Sequence, residues 1–171
     1  MTAAPWRTIG ELIADARTRH ADLEALVDGD VRLTYRAYGE TIDRAAKANS
    51  RIMIVGPSGG GKELVARTLH AMSSRADGPF VVINAAAITP ERMEVELFGV
   101  EISDGETGRK PGALEEAHGG TLFIDEIADM PRETQNRILR VLVDQTFQRA
   151  GGTTKVSVDV RIVSSTARNL E

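Results

Sequence analysis

No cysteine occurs in the 171-residue chain, which excludes disulfides, thiolate-held zinc and thiol nucleophiles from its chemistry. Aromatic residues make up only 4% of it, too few for the stacking platforms that grip single-stranded nucleic acid. No apolar run approaches the roughly 18 residues of a membrane span. The opening MTAAPWRTIGEL lacks the basic-then-apolar order of a secretory leader, so a cytoplasmic protein without membrane contact is expected. Neither sign of charge is in large excess. Against 25 acidic residues stand 21 basic ones, a net charge of -4 that argues against a DNA-coating surface. The three histidines, His20, His70 and His118, lie far apart and not at metal-ligand spacing. What is present, 42% hydrophobic and 27% charged residues, is the composition of one ordinary globular domain or two small ones.

Charge marks no boundary, since residues 1–49 hold 7 basic and 8 acidic side chains. Hydrophobic patterning does. Ile9, Leu12, Ile13 and Ala16 recur at helical spacing and predict a helix over residues 8–19. Two short apolar runs, Ala25 to Val27 and Val31 to Tyr35, flank Asp28-Gly29-Asp30, a hairpin signal. A second helix is predicted from Thr34 to Ala48, with Tyr38, Ile42 and Ala45 on one face. This block is too small to bury a core alone.

Near Asn49 the character changes. Arg51 to Val55, Phe80 to Asn84, Thr121 to Asp125 and Val156 to Ser164 are near-continuous apolar runs, the mark of strands buried on both faces. Helical patterns separate them. Val65, Leu69 and Met72 form a stripe after the first run. Pro90 to Phe98 follows the second, with Thr89 as N-cap and Pro90 at the first helical position. Pro131 to Phe147 precedes the fourth, with Ile138, Val141 and Leu142 facing inward. Alternating strands and helices imply a parallel sheet. Ser103 to Gly112 reads as a polar, glycine-rich loop.

Between the first strand and its helix stands Gly56-Pro57-Ser58-Gly59-Gly60-Gly61-Lys62-Glu63, which fits G-x-x-x-x-G-K. Glycines let successive backbone N–H groups turn toward one anion, and the helix that follows presents its unpaired N–H groups and positive end. Lys62 adds a point charge for the β- and γ-phosphates. Position 63 is an acid where the common motif has a hydroxyl for Mg²⁺. Glu63 could reach the metal, or simply favour the helix N-terminus. The run Thr121-Leu-Phe-Ile-Asp125-Glu126 puts two acids at the C-terminal end of a parallel strand, where ligands bind in such sheets. Asp125 is expected to hold Mg²⁺ and Glu126 to polarise the attacking water. Asn84 closes the second strand and Thr166 follows the fourth; as residues alone, both read equally as ordinary strand-end hydrogen-bonding groups.

Taken together, GPSGGGKELVARTLH, FVVINAAAITPERMEVELFG, GALEEAHGGTLFIDEIADMPRETQNRILRVL and FQRAGG with VDVRIVSSTARNLE resemble the AAA+ ATPase domain of sigma-54-dependent transcription activators, closest to the NtrX type of two-component response regulator. The resemblance covers residues 49–171. It implies an α/β P-loop NTPase fold: a three-layer core around a mostly parallel sheet, stopping before the family's fifth strand and lid. It implies ATP and Mg²⁺ as cofactors, with Glu63 as the family's normal residue after the lysine. Asn84 falls on its glutamate-switch asparagine, Asp125 and Glu126 on its second acidic motif, and Thr166 on its sensor threonine.

The family's GAFTGA loop, which touches the sigma factor, has no counterpart after Glu96-Leu-Phe-Gly99, and this argues against sigma-54 contact. The sequence stops at Glu171, before the family's arginine fingers and second sensor, so little or no hydrolysis is expected. A receiver domain and a DNA-binding domain are likewise not expected within it. Residues 8–47 (TIGELIADARTRHADLEALVDGD and RLTYRAYGETIDRAAKA) resemble the N-terminal segment of adenylate-forming acyl-CoA synthetases and AMP-ligases. Two parts are thus expected, 1–48 and 49–171, joined near Arg44 to Asn49 as family fragments. The alternatives to an ATP-binding regulator module are a ligase-related fragment and a non-catalytic interaction fragment. With no fifth strand, Arg51 to Val55 becomes a sheet edge, which the Ala25 to Tyr35 hairpin or a second copy of the chain is expected to cover.

Overall fold

A computed structural model describes residues 9–28, 31–101 and 108–168. In chain order the elements are α1 (Ile9–Arg19), β1 (Glu24–Asp28), β2 (Val31–Thr34), α2 (Tyr35–Lys47), β3 (Ile52–Val55), α3 (Lys62–Ala71), β4 (Phe80–Asn84), α4 (Pro90–Phe98), β5 (Val100–Glu101), β6 (Arg109–Lys110), α5 (Ala113–Glu116), β7 (Thr121–Asp125), α6 (Arg132–Asp144), β8 (Thr146–Gln148), β9 (Lys155–Ser157) and β10 (Arg161–Thr166). Single 3₁₀ turns, Ala85–Ala87 and Ile127–Asp129, follow β4 and β7. Among the described residues no helix is long and apolar enough to cross a membrane.

The four apolar runs form one parallel sheet in the order β3-β10-β7-β4. As expected, β3 lies at one edge. Alternate side chains leave opposite faces of each strand. Leu122, Ile124 and Ile162 point to one side, into a core with Met93, Leu97, Phe98, Leu114, Ile138 and Val141 from α4, α5 and α6. Phe123 and Val163 point to the other, against Ala66 of α3. On that second side Leu69 of α3 meets Ile42 and Ala46 of α2, with Ile52 and Ile54 of β3 beneath them. The result is three layers, helix–sheet–helix.

Local chemistry explains the element ends. Thr34 is the N-cap of α2, its hydroxyl accepting from the Ala37 N–H at 3.2 Å. Pro90 opens α4 as predicted, although Thr89 caps it by backbone geometry without a side-chain bond. Two boundaries differ from expectation. The run Val156 to Ser164 is not one strand: β9 pairs antiparallel with β8, and β10 begins only at Arg161 and continues to Thr166. Between them Val158 and Val160 are buried, the Val158 N–H donates to the Gln145 carbonyl, and Asp159 turns out to Arg75. The helix predicted to Phe147 stops at Asp144, because Gln145 takes a left-handed conformation (φ 52°) and starts the β8–β9 hairpin.

The β3 edge also differs. The β1–β2 hairpin forms a separate two-stranded sheet and packs on α2. It does not cover β3, where Met53 and Val55 are 48% and 54% exposed. Residues 29–30 of the hairpin turn and 102–107 of the polar loop lie outside the described residues.

His70, at the end of α3, is a buried histidine with a structural task. Its Nδ1 lies 3.0 Å from the Thr121 hydroxyl and its ring packs against Phe80. Burial pushes its pKa below the ordinary 6.5, against a hydrogen bond with the Gly78 backbone that raises it and assisted by the charges of Arg161 and Arg67. The unfolded chain therefore binds the proton first as pH falls. The stability tied to a neutral His70 is complete above about pH 6.5 and is lost below it, by at most about 1.4 kcal/mol per pH unit. Urea unfolding of the wild type and His70→Gln between pH 7.5 and 5.5 should show this slope in the wild type only.

Candidate phosphate and acid site

The loop between β3 and α3 is built on two glycines with positive φ. Gly59 (75°) and Gly61 (76°) occupy the left-handed region, and a Cβ at either would point into open space. Strain, not crowding, is what demands glycine there. The Gly60 N–H bonds back to the Pro57 carbonyl, closing a tight turn around Ser58 and Gly59. Gly61 is the N-cap of α3, with no side chain to occupy the helix N-terminus. The remaining backbone donors of Gly59 to Lys62 stand at the positive end of a helix, the arrangement that suits a phosphate.

Lys62 is only 8% exposed although it carries a charge. Its ammonium group donates to the carbonyls of Gly56 (3.2 Å) and Pro57 (3.1 Å) and pairs with Glu126 Oε1 at 3.2 Å. The loop and the acid strand thus meet at one edge of the sheet, as the sequence spacing predicted. Glu63 turns away: its carboxylate pairs with Arg67, one helical turn on, at 2.7 Å.

The acids sit at the C-terminal end of β7. Asn84 of β4 is in register with Asp125, which places it beside the pair. Its Oδ1 accepts from the Ala86 N–H at 3.0 Å, so in this structure it caps the 3₁₀ turn. Glu126 has φ 52°, ψ 51°, a left-handed conformation rare outside glycine. That turn carries its carboxylate to Lys62 and to the Ala167 N–H, which donates to Oε2 at 2.8 Å. The Ala167 amide, followed by the bond and charge of Lys62 and the charge of Arg168, holds the Glu126 carboxyl below its usual range, against the opposing effect of burial. Glu126 is therefore ionised at neutral pH, as a group that orients water must be. Thr166 is fully buried; its Oγ1 accepts from the Arg168 N–H and its carbonyl from the Gly56 N–H at 3.2 Å. The end of β10 is thereby tied to the first glycine of the loop.

Three contributors escaped the sequence reading. The Ser165 hydroxyl donates to Asp125 Oδ1 and accepts from the Glu126 N–H. Ala167 acts through its main chain, for which no side-chain signal exists. Arg168 pairs with Asp129. Only Ser165 had a trace in the sequence, as part of a Ser-Ser-Thr run ending an otherwise apolar strand.

Among the described residues no group of three or more His, Asp or Glu is placed to hold a metal unaided. The donor set still fits Mg²⁺, which keeps several waters and commonly takes one or two carboxylates together with substrate phosphates. Asp125, at the C-terminal end of β7, is the carboxylate that would take that role.

Comparison with known proteins agrees with this geometry. Residues 32–171 match the family described as the sigma-54 interaction domain. The nitrogen assimilation regulatory protein NtrX of Azorhizobium caulinodans is 73% identical over 131 residues, covering 77% of this chain and 29% of that protein. The crystal structure of NtrX from Brucella abortus in complex with ATP superposes with a TM-score of 0.71 at 70% identity, covering 77% of this chain and 28% of that one. A P-loop NTPase domain of a sigma-54 activator from E. coli shares the fold, with a TM-score of 0.52 at 18% identity. The chain spans less than a third of the two NtrX relatives. The matched residues begin at 32, inside the segment preceding residue 49, and the resemblance of residues 8–47 to adenylate-forming enzymes finds no support in these comparisons.

Proposed function

We propose, since this chain belongs to the sigma-54 interaction domain family, that it is the ATP-binding part of an NtrX-like transcriptional regulator of a two-component system. One observation carries this reading: Lys62, which follows the left-handed glycines of its loop, lies 3.2 Å from Glu126 of the acid strand. The amides of Gly59, Gly61 and Lys62 would receive the phosphates, and Lys62 would exchange its Gly56 and Pro57 carbonyl partners for phosphate oxygens. Asp125 would hold Mg²⁺, which supplies charge neutralisation between the phosphates. Glu126, already ionised, would orient the water. In this reading Asn84 and Thr166 report on the γ-phosphate from either side of the acid pair. Of the segment before residue 49, α1 and α2 serve as packing elements on the core, against α3.

Turnover by residues 1–171 alone is expected to stay near background. The cations acting on Glu126 are Lys62 and Arg168, and Arg168 is committed to Asp129. An arginine directed at the γ-phosphate is worth about 10³ to 10⁵ in rate. Binding is tested by thermal unfolding with Mg-ATP. At 100 times the dissociation constant a ligand stabilises by about 2.7 kcal/mol, or roughly 5–11 °C for a chain of this size. No shift at millimolar Mg-ATP would refute the reading. The open β3 edge offers a surface for self-association. Light scattering should find mass rising with concentration, and a monomer throughout would remove this part of the proposal.

A further inference from the structure

Among the described residues, Ser165 is the only hydroxyl in contact with both acids of the site. It lies on β10, in register with Ile54 of β3, and is fully buried. Its Oγ donates to Asp125 Oδ1 and accepts from the Glu126 N–H at 3.3 Å. The other two residues of the Ser164-Ser165-Thr166 run do neither of these things: Thr166 bonds to the Arg168 N–H, and Ser164 lines the opposite face of the sheet near Ile138 and Leu139. A carboxylate is planar, so fixing one of its oxygens fixes the direction of the other. An amide held at the start of a left-handed turn keeps that turn from relaxing to an ordinary conformation. Both effects pass through one buried oxygen atom.

We propose that Ser165 is a positioning residue for the acid pair, aiming Asp125 at a divalent cation carried on the nucleotide and holding the backbone turn that presents Glu126. The proposal rests on the reading of this edge as a nucleotide site. Partners that orient a metal-ligating carboxylate typically change metal affinity about 10- to 100-fold when removed. A purely structural serine would alter stability without separating nucleotide affinity from metal affinity.

The test is a titration of the full chain with a fluorescent ATP analogue, first in EDTA and then at rising MgCl₂, for wild type, Ser165→Ala, Asp125→Asn and the double variant. In Ser165→Ala the MgCl₂ midpoint should rise about 10-fold or more, while affinity in EDTA changes less than twofold. The retained affinity in EDTA also shows that the variant is folded. Adding Ser165→Ala to Asp125→Asn should bring no further shift, because the serine acts through that carboxylate. A Ser165→Ala midpoint within twofold of wild type, with Asp125→Asn shifted, overturns the proposal and leaves the nucleotide site intact. Additive shifts in the double variant overturn it equally. Wild-type protein that binds no ATP analogue overturns the nucleotide reading and this inference with it.

Discussion

Lys62→Ala is expected to lower ATP affinity about 10- to 100-fold while leaving the fold in place. Among the described residues, the lysine is the one cation that touches both the glycine loop and the acid strand, at 3.1–3.2 Å from Gly56, Pro57 and Glu126. A hydrogen bond to a charged group is worth about 1.5–3 kcal/mol, which is the stated range of affinity. Removal also leaves Glu126 with the Ala167 amide alone as its close partner, so the carboxylate keeps a donor and the unliganded protein should lose little stability. The thermal shift with Mg-ATP should therefore fall to about half or less of the wild-type value in Lys62→Ala at 100 times the wild-type dissociation constant, about 0.4–1.4 kcal/mol against about 2.7, with the nucleotide-free midpoints close together. Equal shifts in the two proteins would mean that ATP binds elsewhere, and the site assignment would fall.

The second large effect lies at the opposite end of β10. Arg161 is 3% exposed, and among the described residues no carboxylate pairs with it. Its guanidinium instead donates to three carbonyls, those of Ala45 (2.7 Å), Ala46 (3.1 Å) and Ser50 (3.2 Å). Two of these belong to the last turn of α2, whose carbonyls have no partners within the helix. A cation there also meets the negative end of the helix dipole. Burial and the nearby charge of Arg75 lower its pKa, but an arginine starts so high that it remains protonated at neutral pH.

Arg161→Met would leave the buried Ala46 carbonyl and the more exposed Ala45 and Ser50 carbonyls without their donor. A buried orphaned group costs about 1–3 kcal/mol and water relieves the other two, so a loss of about 2–3 kcal/mol is expected. For a chain of this size that is roughly 4–12 °C in melting temperature. Hydrogen exchange should show the α2 amides losing protection more than those of β7, because Arg161 is the tie between α2 and the sheet. Arg161→Lys retains the charge but cannot reach three acceptors at once, and should fall between. A loss below 1 kcal/mol with unchanged exchange in α2 would show that hydrophobic contacts alone, through Ile42, Ala46 and Leu69, hold this helix.

Much of this molecule can be read from its residues in order. The strands Phe80–Asn84 and Thr121–Asp125 begin and end where predicted, because runs buried on both faces announce themselves without reference to a partner. The glycine loop is equally plain, since positive φ at Gly59 and Gly61 is a local backbone requirement and glycine is its local solution. The pairing of Lys62 with the acid strand follows once a strand–loop–helix unit and a strand ending in two acids share a parallel sheet.

Other features depend on what lies across a gap in the chain. The break between β9 and β10 is invisible in an unbroken apolar run, because it is set by Gln145 and Arg75 receiving Val158 and Asp159 from distant parts of the sequence. Ser165, Ala167 and Arg161 act through hydrogen bonds to groups 39 to 116 residues away, four of them backbone carbonyls or amides that no residue type reveals. Periodicity and local backbone preference are properties of neighbouring residues, so they are written into the chain. Which buried polar group finds which partner is settled only when the layers close, because desolvation makes an unpaired group costly and forces the choice there.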